Sequence, residues 1–162
     1  MKSLVVYYSH SGNTASVAHK LWSALSQRGD AEIIRLEYSR GVNNPAMRLL
    51  YRIIPALTPL WETVSDLKNY DVIGFGIPVL AGHPSAAIIK YINMCEYAGN
   101  KKIVCCYVYS VEISAKQCVR HVERILKKNR QTTTAKLFIH WTKVRDEQFV
   151  NKAIDEALAK LA

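Results

Sequence analysis

The chain has 162 residues, 49% of them hydrophobic, with 22 Lys and Arg against 13 Asp and Glu for a formal charge of +9. A chain of this length buries roughly two thirds or more of its unfolded surface, so one domain with its own core is expected and a disordered chain is excluded. No apolar run approaches the ~20 residues of a membrane span and no leader pattern opens the sequence, so a cytoplasmic protein with no membrane span is expected, whose charge favours acidic ligands or partners.

The first apolar run, SLVVYYS (3–9), shows no polar alternation and reads as a central strand of a parallel sheet. Residues 13–28 read as a helix, since Ala15, Ala18, Leu21, Trp22 and Leu25 recur at intervals of three and four, with Gly29 as its stop. AEIIRLE (31–37) is a second strand. A long connection at 39–65 follows, carrying NPAMRLLYRIIPALTPLW; Pro45, Pro55 and Pro59 interrupt it, and a short helix fits 46–54.

YDVIGFGIP (70–78) is a third strand, ended by Pro78, and Pro84 is expected in the first turn of a helix at 85–94. KKIVCCYVYS (101–110) is a fourth strand, followed by a helix at 114–128. TTAKLFIHW (133–141) is a fifth, followed by a helix at 146–160. Strands alternating with helices predict an α/β fold, a parallel sheet covered by helices on both faces. The cysteines, Cys95, Cys105, Cys106 and Cys118, form no C-x-x-C pair and are expected as buried thiols, with no disulfide framework or zinc site. On a strand, Cys105 and Cys106 point to opposite faces.

The turn from the first strand to the first helix collects Ser9, His10, Ser11, Gly12, Asn13 and Thr14. A helix N-terminus offers unpaired N–H groups and a partial positive charge. Gly12 lets the backbone approach a ligand, and the hydroxyls of Ser9, Ser11 and Thr14 add donors. Together they form a cradle for a phosphate. G-x-x-x-x-G-K-[ST] and G-x-G-x-x-G are both absent, which weakens P-loop and dinucleotide readings. The alternative is an ordinary helix cap built from hydroxyl residues.

YYSHSGNT (7–14) resembles the phosphate loop of flavodoxins and flavodoxin-like proteins: hydroxyl residue, any residue, hydroxyl residue, glycine, any residue, threonine. Ser9, Ser11, Gly12 and Thr14 fill that pattern. YDVIGFGIPVLAGHPSAAIIKYI (70–92) resembles the third strand of the family and its following loop, with Gly76, Pro78, Gly82 and Pro84 matching. The resemblance spans nearly the whole chain. It implies a doubly wound five-stranded parallel sheet in the order 2-1-3-4-5, with FMN bound at the carboxyl ends of the strands. The phosphate would lie on the loop from Ser9 to Thr14, with His10 and Asn13 in it. The isoalloxazine would lie between Pro78, Val79, Leu80, Ala81, Gly82 and His83 on one side and Tyr109, Ser110 and Val111 on the other.

The implied function is that of an FMN-binding electron-transfer protein, in which the cofactor does the redox work and no residue acts as a catalytic acid or base. The alternatives are an NAD(P)H-dependent quinone or FMN reductase on the same fold, and a flavin-free binding module. Two departures bear on the choice. PVLAGH (78–83) has no aromatic residue but His83, with Leu80 where many short-chain relatives place tryptophan. VYSVEIS (108–114) has no glycine, which fits the binding module. Tyr109 either stacks on the ring or closes a strand. His10 is either a solvent-facing spacer or, when protonated, an added charge for the phosphate; His83 is a candidate hydrogen-bonding group for the ring or a substrate.

Flavodoxins are usually acidic, and this chain is basic. RHVERILKKNR (120–130) is either a solvated helix face or a dock for an acidic redox partner such as a ferredoxin. No base-reading motif accompanies the charge, so nucleic acid is not expected. A positive field should give a bound flavin a less negative final reduction potential than in an acidic flavodoxin. The stretch 47–61 is either a flap on the sheet edge or the patch of a homodimer or partner.

Overall fold

The computed structural model describes residues 1–37, 54, 60 and 63–161. The elements follow in the order β1 (Lys2–Tyr7), α1 (Asn13–Ser26), β2 (Asp30–Arg35), β3 (Val72–Leu80), β4 (His83–Pro84), α2 (Ala86–Met94), β5 (Lys102–Tyr109), α3 (Glu112–Lys128), β6 (Thr133–His140) and α4 (Glu147–Ala159). Among the described residues, five strands pair in parallel in the spatial order β2-β1-β3-β5-β6, and β4 pairs antiparallel with the end of β3. The order expected from the sequence holds for the five parallel strands. The short β4, which the sequence reading did not include, shifts the later numbers by one.

The sheet is apolar on both faces because each face has its own helices. Leu4, Val6, Ile73, Phe75, Ile77, Ile103, Cys105 and Tyr107 pack under α2 and α3. Val5, Tyr7, Val72, Val104, Cys106, Leu137 and Ile139 pack under α1 and α4. Cys105 and Cys106 thus serve opposite faces, as the alternation of a strand requires. All four cysteines are free and buried, and burial pushes the thiols of Cys95, Cys105 and Cys118 up to about 12, which keeps them protonated and inert.

Two boundaries differ from the sequence reading for local reasons. Pro78 does not end β3, which continues to Leu80. The carbonyl of Gly76 accepts the Tyr8 N–H at 3.3 Å, so Gly76 and, two residues on, Pro78 turn their backbone toward the β1 side. There β1 has already ended at Tyr7, and a missing donor costs nothing. Pro84 lies in β4, not in a helical turn; Ser85 is the N-cap of α2, its hydroxyl accepting from the Ile88 N–H. The expected helix at 46–54 and most of the apolar stretch 47–61 lie outside the described residues. No helix among the described residues is long and apolar enough to cross a membrane.

Candidate functional site

The order β2-β1-β3 means that the chain reverses its direction of winding between β1 and β3, the switch point at whose carboxyl end doubly wound sheets bind their ligands. The loop from Ser9 to Thr14 sits at that point. Ser9 and Thr14 are buried and anchor it, while His10, Ser11 and Gly12 are exposed and Asn13 is half-buried. Gly12 is the N-cap of α1 in the left-handed region, with φ at 89°, and no side chain caps the helix. The first helical bond runs from the Ser16 N–H to the Gly12 carbonyl at 3.0 Å. The N–H groups of Asn13, Thr14 and Ala15 precede it and have no intrahelical acceptor. The Ser9 hydroxyl accepts from the Gly12 N–H at 3.1 Å, so its own proton is left to donate elsewhere. A Cβ placed on Gly12 would meet nothing within 4 Å, so the mouth of the loop is open.

The loop is held there by a glycine in β3. A Cβ on Gly76 would lie 2.6 Å from Tyr7 Cβ, 3.3 Å from Thr14 Cγ2 and 3.4 Å from Ala18 Cβ. Gly76 therefore lies beneath α1 and sets how closely the helix N-terminus approaches the sheet. Gly76 is a strand residue, as the sequence predicts, and its missing side chain is what lets the helix come this close.

The second segment, from Pro78 to His83, is a β-hairpin. Val79 pairs with Pro84 and Leu80 with His83, leaving Ala81 and Gly82 as a two-residue turn. Both have positive φ, 47° and 85°, as a type I′ turn requires. Leu80 and Ala81 are exposed at the tip. Gly82 packs against the side chain of Gln117 on α3. His83 Nδ1 lies 3.2 Å from His121 Nδ1 on the same helix, with ring centroids 5.4 Å apart and planes at 83°. One nitrogen must donate and the other accept, so the contact requires at least one neutral ring.

Burial and then the charges of His83, Arg124 and Lys128 hold His121 below its ordinary 6.5. A base whose pKa is lowered by folding contributes stability that is complete above its unfolded value and lost as pH falls below it. The wild-type Tm is therefore expected to fall more steeply between about pH 7.5 and about pH 5 than that of His121→Gln, whose side chain does not titrate. Parallel curves from thermal melts of the two proteins would contradict this.

The third segment follows β5. Pro78 pairs with Val108, which brings Tyr109, Ser110 and Val111 alongside the hairpin. Tyr109 is half-buried and meets His140 edge-on, centroids 5.4 Å apart. Ser110 and Val111 are exposed. His140, the last residue of β6, fixes this loop. Its Nε2 is 3.1 Å from the Ser110 carbonyl and its Nδ1 2.7 Å from the Thr142 hydroxyl. In the neutral ring Nε2–H donates to the carbonyl and Nδ1 accepts from the hydroxyl.

No protein-family profile and no curated protein matches the chain. Solved structures do. Flavodoxin 2 from Bacillus cereus superposes with a TM-score of 0.62 at 21% identity, over 99% of this chain and 97% of that one. An azoreductase from Bacillus anthracis gives 0.58 at 12% identity over 99% of each chain. An NADH:FMN oxidoreductase gives 0.66 at 13% identity, over 100% of this chain and 91% of that one.

The chain has the flavodoxin-like fold. In it, the three segments named from the sequence come together at the carboxyl end of the sheet, with Ser9 to Thr14 after β1, the hairpin after β3 and Tyr109 to Val111 after β5. His83 has its Nδ1 turned to His121. His140 was not singled out from the sequence. A histidine closing a strand beside a carboxyl-end loop, as in FIHW (138–141), is the signal that marks it.

Proposed function

We propose that this protein binds FMN non-covalently and carries electrons in the cytoplasm, where free thiols stay reduced. One observation carries the reading: an uncapped helix N-terminus, an open glycine and two buried hydroxyl residues meet at the point where the sheet reverses its winding. The phosphate of FMN would take the N–H groups of Asn13, Thr14 and Ala15 and a donor from Ser9. Val79, Leu80 and Tyr109 would flank the ring. FMN supplies the redox chemistry when bound; the chain supplies position, partial exclusion of water and a positive field.

Flavodoxin, azoreductase and NADH:FMN oxidoreductase structures share the fold, so the fold does not separate carrier from reductase. Turnover does. The FMN-loaded protein is expected to oxidise NADH or NADPH no faster than free FMN, and to reduce a quinone only when a second protein delivers electrons. Sustained quinone reduction by the protein and NAD(P)H alone would establish the reductase. The net charge of +9 bears on the carrier reading. Cations stabilise an anionic reduced flavin, so potentiometric titration is expected to give a less negative final reduction potential than in an acidic flavodoxin. A very low potential would contradict it.

A further inference from the structure

Helix α3 begins two residues after Ser110, so its first turn forms the rim of the site. Its inner face, with Ala115, Cys118, Val122, Ile125 and Leu126, is buried in the core. Its outer face is not neutral. From 112 to 130 the sequence has six cations and two carboxylates. Both carboxylates are tied to lysines: Glu112 to Lys116 at 3.0 Å, and Glu123 to Lys136 on β6. Arg120, Arg124, Lys127, Lys128 and Arg130 make no ion pair among the described residues. At the site end of this stripe two apolar side chains face solvent, Val111 at 52% exposure and Ile113 at 66%.

A helix rises 1.5 Å per residue, so the run from Ile113 to Lys127 covers roughly 21 Å, on the scale of one side of a protein–protein contact. Like charges along one face repel one another and are relieved when a surface of opposite sign covers them. The apolar pair at the head adds what a purely solvated face lacks, a dry contact next to the expected flavin edge.

We infer that the outer face of α3, headed by Val111 and Ile113, docks an acidic redox protein and brings its cofactor to the rim of the site. The inference rests on the FMN reading for its purpose but not for its binding. The partner's chemistry follows from the surface: a ring of carboxylates to meet Arg120, Arg124 and Lys127, around an apolar centre to meet Val111 and Ile113. Nucleic acid fits less well, because α3 carries no Phe, Tyr or Trp on which a base would stack.

The test uses an acidic [2Fe–2S] ferredoxin as the probe and calorimetric titration at low and at physiological salt. The wild type is expected to bind at low salt and to weaken steeply as salt rises. The R120E/R124E/K127E variant is expected to lose about tenfold or more in affinity and most of the salt dependence. K152E/K160E, two reversals of sign on α4 and at its C-cap, is expected to bind nearly as the wild type does, and I113S to weaken binding without altering the salt dependence. The inference is overturned by no binding of the wild type at low salt, by equal losses in the α3 and α4 variants, or by tighter binding of a short DNA single strand than of the ferredoxin. FMN quenching measured on the same samples keeps the two questions apart. A protein that binds ferredoxin through α3 without binding FMN keeps the dock and loses the carrier.

Discussion

Gly76→Ala is expected to lower stability by about 2–3 kcal/mol and Tm by about 5–10 °C, and to weaken FMN binding with it. The added carbon would sit 2.6 Å from Tyr7 Cβ and within 3.4 Å of Thr14 Cγ2 and Ala18 Cβ. Tyr7 Cβ and Ala18 Cβ are fixed by their own backbone and cannot rotate away. Relief requires β1 and β3 to part at their carboxyl ends and α1 to lift from β3, which shifts Thr14 and the uncapped N–H groups out of place. Thermal denaturation and FMN titration on the same preparation check both effects. A wild-type Tm would show that Tyr7 and α1 do not crowd Gly76 as described.

Gly12→Val separates the site from the fold. Gly12 has space, since a Cβ there meets nothing within 4 Å, but its φ of 89° is one a β-branched residue resists. The backbone strain amounts to about 1–2 kcal/mol, so the Tm change is expected to be the smaller of the two variants. The FMN affinity is expected to fall by about 10–100-fold, because the valine side chain lies in the mouth of the loop and the strained turn re-aims its N–H groups. Kd from flavin fluorescence quenching, set beside Tm, reads the two quantities apart. An unchanged Kd would mean that the phosphate does not lie on this loop.

The two glycines show why some of this molecule is legible in sequence and some is not. Gly12 was readable because its neighbours advertise a function: Ser9, Ser11 and Thr14 have hydroxyls at a strand-to-helix junction. Gly76 matches the family pattern, but its packing role needs three-dimensional knowledge, since only the approach of Tyr7 and of α1 explains it. The parallel strands were readable because their apolar runs lack alternation, which requires two covered faces. The hairpin at 81–82 was not, since Ala-Gly lacks the Asn-Gly or Asp-Gly signal of a two-residue turn and Pro78 reads as a stop. The stop fails because β1 is too short to reach it. The pairing of His83 with His121 spans 38 residues and follows only from the hairpin folding onto α3.

On the proposed function, Ser9 to Thr14 holds the phosphate of FMN. The measurement that tests it most directly is a parallel fluorescence-quenching titration with FMN and with riboflavin, which has the same ring and no phosphate. FMN is expected to bind tightly and riboflavin more weakly by at least about 100-fold, the loss expected when several charge-assisted hydrogen bonds have no acceptor. Equal affinities, or no binding of either at micromolar concentration, would contradict it and put the flavin-free binding module first.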